Sequence, residues 1–420
     1  MNILIVNTSE RQGGAAIAAH RLMDALQQLG HGVEMLVRDK HTDRCEVQSL
    51  PSDWRRKWHF LWERAVIWMY NRFRRQNLFA VDIANAGTDI TQLRAFRKAD
   101  VIHLHWVNQG MLSLADLRKI LCSGKTVVWT MHDMWPCTSI CHHARECNAY
   151  HTVCNHCPYL YGGGSACDLS TRVFRRKQQI YALAPISFVA CSRWLRERAE
   201  QSALLRGHSV IDIPNPIDVN RFAPTDTLAA RARLNLPAEK RLILFGSAKI
   251  TDKRKGIDYF VESCRLLAAS DPSLKETLGI VAYGRNSDEL KELLPFEVFS
   301  LEYIRSEEVL IDVYNAVDLF VTPSLEENLP NTIMEALSCG TPCVGFRVGG
   351  IPEMIDHRIN GYVAQYMSAP DLANGIRWVL HSSHPQELAA QARLKVMQTY
   401  SPQVVAQRYV DLYQQSLAHE

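Results

Sequence analysis

Ile3-Leu4-Ile5-Val6 is an unbroken apolar run between Asn2 and Asn7, and it predicts a strand buried on both faces from Asn2 to Asn7. From Ala15 to Leu29 the apolar residues return at a spacing near 3.6, which is a helix with one buried face. Gly30-His31-Gly32 stops that helix, and Val33 to Val37 reads as a second strand. Further strands are predicted at Val101 to Leu104, Thr126 to Met131 and Ser187 to Cys191. Beyond Pro214-Asn215-Pro216-Ile217-Asp218 a second series begins: Leu242 to Gly246, Gly279 to Tyr283, Leu319 to Thr322 and Thr341 to Phe346. A last helix is expected from about Ser401 to Ala418. Strands alternating with helices imply an α/β fold with doubly wound parallel sheets. At 420 residues the chain exceeds one ordinary core, so two domains are expected.

One stretch carries chemistry. Leu325-Glu326-Glu327-Asn328-Leu329-Pro330-Asn331-Thr332-Ile333-Met334-Glu335 places two carboxylates with seven residues between them. A strand precedes Glu327, a turn follows it, and Glu335 lies about two turns into a helix. A helix N-terminus is a seat for phosphate, because its amide N–H groups and dipole favour an anion. A carboxylate beside such a seat suits hydroxyls, as on a sugar or ribose. That combination points to a sugar nucleotide.

The spacing resembles the E-x7-E element of glycosyltransferase family 4, retaining enzymes of the two-domain GT-B fold. The likeness continues through Ala336-Leu337-Ser338-Cys339-Gly340-Thr341-Pro342-Cys343-Val344, Val348-Gly349-Gly350-Ile351-Pro352-Glu353 and Asn360-Gly361-Tyr362-Val363. The resemblance implies two Rossmann-like doubly wound domains with a cleft between them. The first would span 1–213, with a C-terminal helix, 401–420, crossing back to it; 214–400 would bind the nucleotide sugar. It further implies that Glu327, with the loop Asn328, Leu329, Pro330, Asn331 and Thr332, meets the donor sugar, and that Glu335 meets the ribose.

Two other segments face the donor on this reading. Arg11-Gln12-Gly13-Gly14 follows the first strand, and Gly13 and Gly14 let the backbone approach a ligand. The dinucleotide fingerprint G-x-G-x-x-G is absent, which disfavours hydride transfer. Lys249 to Lys255 packs four cations into seven positions ahead of Gly256. Lys255 matches the family's lysine, and Lys249 stands in place of its usual arginine, keeping the charge without the bidentate fork. Val298 to Ile304 resembles the loop bordering the base, with Ile304 at its end and Glu302 where glycine is usual. Catalysis is assigned to His132, Lys255 and Glu327. His132, just past a strand in Thr130-Met131-His132-Asp133-Met134-Trp135, can reach a donor hydroxyl or a developing charge. No cofactor is implied for the chemistry.

Twelve cysteines in a chain that begins directly on a strand argue for reduced thiols or metal ligands, and for the cytoplasm. Six of them crowd the insert 137–167. Cys154-Asn155-His156-Cys157 is a C-x2-C knuckle, and Cys141 and Cys147 form a looser upstream pair. The spacing leaves structural zinc on Cys141, Cys147, Cys154 and Cys157, free buried thiols, and disulfides all open. The insert also resembles a subgroup of bacterial family 4 enzymes making surface polysaccharide, which implies a glycan or lipid-linked acceptor.

Asp53 to Arg75 interleaves seven Lys or Arg with Trp54, Trp58, Trp62, Trp68 and Tyr70. Positions 54, 58, 61, 65, 68 and 69 share one helical face. Such a helix either lies peripherally on the inner, anionic membrane surface or packs on its own domain with a basic outer face. No run of eighteen apolar residues exists that would span a bilayer. Two other readings use the same residues: a sugar-nucleotide enzyme without transfer, such as an epimerase, and a zinc-containing nucleic-acid binder. A net charge of +3 and two full α/β units speak against nucleic acid as a partner.

Overall fold

The computed structural model describes residues 1–51 and 53–418, so the last two positions of the helix expected at 401–420 lie outside the described residues. The chain divides into two units, Met1–Pro216 together with Pro402–Glu420, and Ile217–Ser401.

In the first unit the apolar runs become β1 (Asn2–Ser9), β2 (Gly32–Asp39), β3 (Val47–Ser49), β4 (Val101–Leu104), β5 (Thr126–Met131), β6 (Ser187–Ala190) and β7 (Ser209–Asp212). They form one parallel sheet in the order β3-β2-β1-β4-β5-β6-β7. Strands β4 and β5 are buried at every position, as a sheet covered on both faces requires. Helix α1 (Gly14–Gln28) starts after the Gly13-Gly14 turn, and its Leu22, Met23 and Leu26 pack on one face with Ile3, Ile5 and Met35. The C-terminal helix, Pro402–Ala418, covers that same face through Val405, Tyr409 and Tyr413. Two of its hydroxyls reach the sheet: Tyr409 pairs with Thr130 at 2.8 Å, and Tyr413 with His103 at 2.8 Å.

The second unit holds β8 (Arg241–Lys249), β9 (Leu278–Arg285), β10 (Glu297–Ser300), β11 (Leu319–Thr322), β12 (Cys343–Phe346) and β13 (Gly361–Ala364). Its parallel order is β10-β9-β8-β11-β12-β13. The strand order reverses between β8 and β11, and between β1 and β4 in the first sheet. Crevices at such reversals, outside the carboxyl ends of the strands, are where open α/β sheets bind ligands.

Helix α2 (Asp53–Tyr70) is where the packing departs from its apolar stripe. Trp54, Trp58, Leu61, Trp68 and Met69 face outward, while Glu63, Arg64 and Ile67 are buried. The inward charges have partners: Glu63 accepts the backbone N–H groups of Ile83 (2.8 Å) and Ala84 (2.7 Å) through one oxygen, and Arg64 pairs with Asp82. Among the described residues no helix is long and apolar enough to cross a membrane.

Candidate active site

At the reversal in the second sheet, the loop after β8 and the loop after β11 are locked together. Lys253–Lys255 forms a single 3-10 turn, and Gly256 closes it at φ +72°. A Cβ on Gly256 would overlap the Pro323 carbonyl oxygen at the end of β11. Leu325 donates its N–H to the Arg254 carbonyl at 2.7 Å, which fixes the two loops in register. Across that junction the Lys255 ammonium forms an ion pair with Glu327. A second glycine holds the other side. Gly349 sits at φ +56° against the Glu327 carbonyl, where a Cβ would clash, and Gly350 donates to Asn328 at 2.7 Å.

The helix that follows is Asn331–Ser338, with Pro330 at its N-cap position and no side-chain capping bond. It begins only at Asn331, so Glu335 stands at the start of its second turn, nearer the N-terminus than the spacing implies. Glu335 is buried and accepts a 3.1 Å hydrogen bond from the Tyr314 hydroxyl. Burial pushes the Tyr314 phenol well above its usual range, with Tyr283 and Glu335 adding to the shift. Tyr314 therefore donates; sequence reasoning missed it, because an aromatic residue on a buried helix face reads as core. Asn328 and Leu329 are buried, whereas Asn331 and Thr332 are half-exposed at the helix start.

Lys249 is exposed at the last position of β8, in register with Arg285 of β9. Ile304 is half-buried in the loop after β10. Glu302 in that loop adopts φ +52°, and its carbonyl accepts the Gly284 N–H at 2.6 Å. The usual glycine at this place thus has a conformational reason, and glutamate occupies the same left-handed turn at a cost.

In the first unit Gly13, at φ +90°, precedes α1 with open space where a Cβ would stand, and Gly14 begins the helix; both are exposed. His132 follows β5 and is half-buried, its Nε2 at 2.9 Å from His105 Nδ1 and its Nδ1 at 3.5 Å from the Cys191 sulfur. Burial lowers its pKa to about 4, against a smaller opposing effect of Asp133, so the imidazole is neutral at pH 7. His105 and His103, which sequence reasoning missed, are also held neutral, chiefly by burial. Their alternation in His103-Leu104-His105 was the available signal, since residues two apart at the end of β4 and just past it fall on one side of an extended chain.

Behind His132 runs a chain of charges. Asp133 accepts from Trp106 Nε1 (2.8 Å) and pairs with His142 (2.8 Å); His142 pairs in turn with Asp82 (2.6 Å), which holds Arg64. Burial opposes the His142 charge, but the carboxylates of Asp133 and Asp82 overcome it and raise its pKa to about 10.

In the insert Cys141, Cys154 and Cys157 are buried and Cys147 is half-buried, and all are free thiols. Burial pushes Cys141, Cys154 and Cys157 up to about 12, with mutual repulsion among the cysteines adding to it. The four lie near one another. As placed, however, no group of three or more His, Cys, Asp or Glu among the described residues converges on a metal position.

Two doubly wound parallel units, each with its ligand loops at the strand-order reversal, define the GT-B class of fold. A family model for Glycosyltransferase Family 4 matches residues 12–221, and one for Glycosyl transferases group 1 matches residues 239–382. The chain belongs to glycosyltransferase family 4. D-inositol 3-phosphate glycosyltransferase of Saccharomonospora viridis is 25% identical over 213 residues, covering 48% of this chain and 49% of that protein. The chain thus spans about half the length of this curated relative. Among solved structures, sucrose-phosphate synthase from Thermosynechococcus elongatus shares the fold at TM-score 0.68 and 18% identity, with 100% of both chains covered. Anabaena HepE in complex with UDP and glucose does so at 0.63 and 15%, covering 99% of this chain and 100% of its own.

Proposed function

We propose that this chain is a retaining glycosyltransferase moving a sugar from a nucleotide-diphosphate donor to a glycan or lipid-linked acceptor in bacterial surface polysaccharide synthesis. The observation that carries the reading is the Lys255–Glu327 ion pair ahead of the Asn331–Ser338 helix. A cation and a helix N-terminus together suit a diphosphate, and stabilise it as the glycosidic bond to the donor breaks. Glu327 would accept donor-sugar hydroxyls and Glu335, steadied by Tyr314, those of the ribose. Lys249 and the Gly13-Gly14 backbone would add to diphosphate binding, Ile304 would border the base, and neutral His132 would hydrogen-bond a donor hydroxyl.

Retention is supported by the state of the carboxylates behind His132. Asp133 and Asp82 are both committed to His142, which leaves neither as the base that inversion requires. Screening nucleotide sugars by thermal shift, then assaying the hit with lipid-linked acceptors, tests the reading. A ligand at 100 times its dissociation constant raises stability by about 2.7 kcal/mol. The product linkage, read by nuclear magnetic resonance, is expected to keep the donor's anomeric configuration. An inverted product would overturn the mechanism.

For the insert we propose structural zinc on Cys141, Cys147, Cys154 and Cys157, with small side-chain rotations closing the site. The C-x2-C spacing supports it, and so does Lys177. That lysine is fully buried and donates to the Trp135 (2.6 Å) and Thr138 (3.1 Å) carbonyls; burial lowers its pKa to about 7, against an opposing pull from Cys137, Cys141 and Cys154 that thiolates would strengthen. Thiolates would have a counter-charge there. Elemental analysis of untagged protein is expected to give one zinc per chain, lost as pH falls. Metal-free, folded and fully active protein would reduce these cysteines to packing residues.

A further inference from the structure

Helix α2 carries its apolar stripe on the wrong side for a helix that merely packs on its own domain. Trp54, Trp58, Leu61, Trp62, Trp68 and Met69 are between 40% (Trp68) and 68% (Trp54) exposed. Four indoles at the surface of one helix are not scattered apolar residues of the ordinary kind; a contiguous patch of this sort marks an interaction surface. The patch is ordered within itself: the Trp58 and Trp62 rings stack at 6.1 Å, and Trp68 meets Phe73 edge-on at 4.8 Å.

The orientation is built in. Glu63, Arg64 and Ile67 are drawn inward, and Gly110 lies so close that a Cβ there would come within 2.7 Å of the Phe60 backbone nitrogen. Turning the aromatic face inward would leave the carboxylate of Asp82 without Arg64.

Basic residues flank the patch. Arg55 and Lys57 flank it on the helix, Arg72 and Arg75 lie just beyond its end, and all four are exposed. Glu63, the acid described within the helix, is fully buried and adds nothing to the outer field. Tryptophan favours the headgroup level of a bilayer, where the ring is half in hydrocarbon and half wet. Lys and Arg beside it gain from anionic lipid. We propose that the outer face of α2 docks this protein on an anionic bilayer surface, with the indoles at the headgroup boundary and the flanking cations on lipid phosphates. A protein groove of matching shape would need acids opposite Arg55 and Lys57, whereas a bilayer supplies anionic headgroups beside an apolar layer in one surface.

The consequence for the acceptor rests on the transferase reading. The inner face of α2 enters the Arg64–Asp82–His142–Asp133 chain that ends beside His132, so docking would seat that end of the first unit close to lipid-carried acceptors.

The test uses the full chain without donor or acceptor, so its failure leaves the transferase reading intact, and failure of transfer leaves the docking intact. Vesicles of phosphatidylglycerol and phosphatidylcholine in equal parts, and of phosphatidylcholine alone, are mixed with protein and sedimented. Wild type is expected to pellet with the anionic vesicles, with a blue shift of tryptophan emission, and to be released by salt. The double variant Trp58→Ala/Trp62→Ala should weaken partition by about tenfold or more. Arg55→Glu/Lys57→Glu should weaken it on anionic vesicles only. Circular dichroism and thermal unfolding establish that both variants are folded, as these side chains are exposed. Wild type left in the supernatant overturns the proposal, as does binding that both variants retain. Self-association in solution that Trp58→Ala/Trp62→Ala abolishes, without vesicle binding, assigns the face to a second copy instead.

Discussion

Replacing Lys255 by alanine is expected to lower the turnover number by about 10²–10³-fold, because removing one preorganised donor from a developing charge costs about 2.7–4 kcal/mol. The size follows from how firmly the ammonium is held. Its backbone is fixed by the 3-10 turn Lys253–Lys255 and by Gly256 pressed on Pro323, which holds the ammonium in one place. Arg254 is the nearest cation in sequence, and its guanidinium is committed to Asp252 at 2.8 Å. Lys255→Arg keeps the charge with a different shape and should recover part of the rate. Removal of the lysine also leaves Glu327 without its partner, so binding of free nucleotide, measured by calorimetry, separates a loss of charge stabilisation from a rearranged loop. Nucleotide affinity kept while turnover collapses is the expected pattern. Near-normal turnover would take Lys255 out of the site.

His142→Ala should destabilise the first unit by about 3–5 kcal/mol, the usual cost of stripping one partner from a buried ion pair. Here the loss takes the shared partner from two carboxylates at once, Asp133 and Asp82, of which Asp82 keeps Arg64. The pH dependence has a definite sign. His142 binds its proton more tightly folded (about 10) than unfolded (about 6.5), so its contribution is complete below about pH 6.5 and drains away as pH rises toward 10. Asp133, which burial would raise but His142 and its other partners lower to about 2, contributes above about pH 4 and loses that contribution as pH falls toward 2. Urea unfolding at pH 6.5 and pH 9.5 checks this. Wild type should lose stability between the two, and the variant should lack that slope. Equal slopes would mean that His142 is neutral in the folded protein.

The strands at the centres of both sheets were legible because a strand covered on both faces is apolar at nearly every position, as Ile3 to Val6 and Leu242 to Phe245 are. The edge strands β3, β7 and β10 were not. They run three or four residues, and β7 and β10 are exposed or half-buried throughout, so they leave neither an apolar run nor an alternation. Lys255 and Glu327 could each be picked from local spacing, but their pairing could not. It joins residues in the loops that follow two strands, β8 and β11, which become neighbours only where the order of the sheet reverses. Helix α2 shows how a correct pattern can leave orientation open. The stripe at 54, 58, 61, 65, 68 and 69 was plain, yet its direction is set by Asp82 and His142, distant residues that compensate Arg64 and the carboxylates around it. Tertiary pairing decided a question that periodicity could only pose.

The Pro402–Ala418 helix has a consequence for the order in which this molecule can be made. Ribosomes deliver residues from the N-terminus, so the β1–β7 sheet is synthesised long before Tyr409 and Tyr413, whose hydroxyls close on Thr130 and His103. Until they arrive, the part of that face around Thr130 and His103, beyond the cover of α1, lacks its own. The Ile217–Ser401 unit is unbroken in sequence and can finish first, contrary to the usual vectorial order of domains. A nascent chain halted just after Ser401 would then carry a complete second unit and a first unit still exposing its uncovered face, a natural target for chaperones.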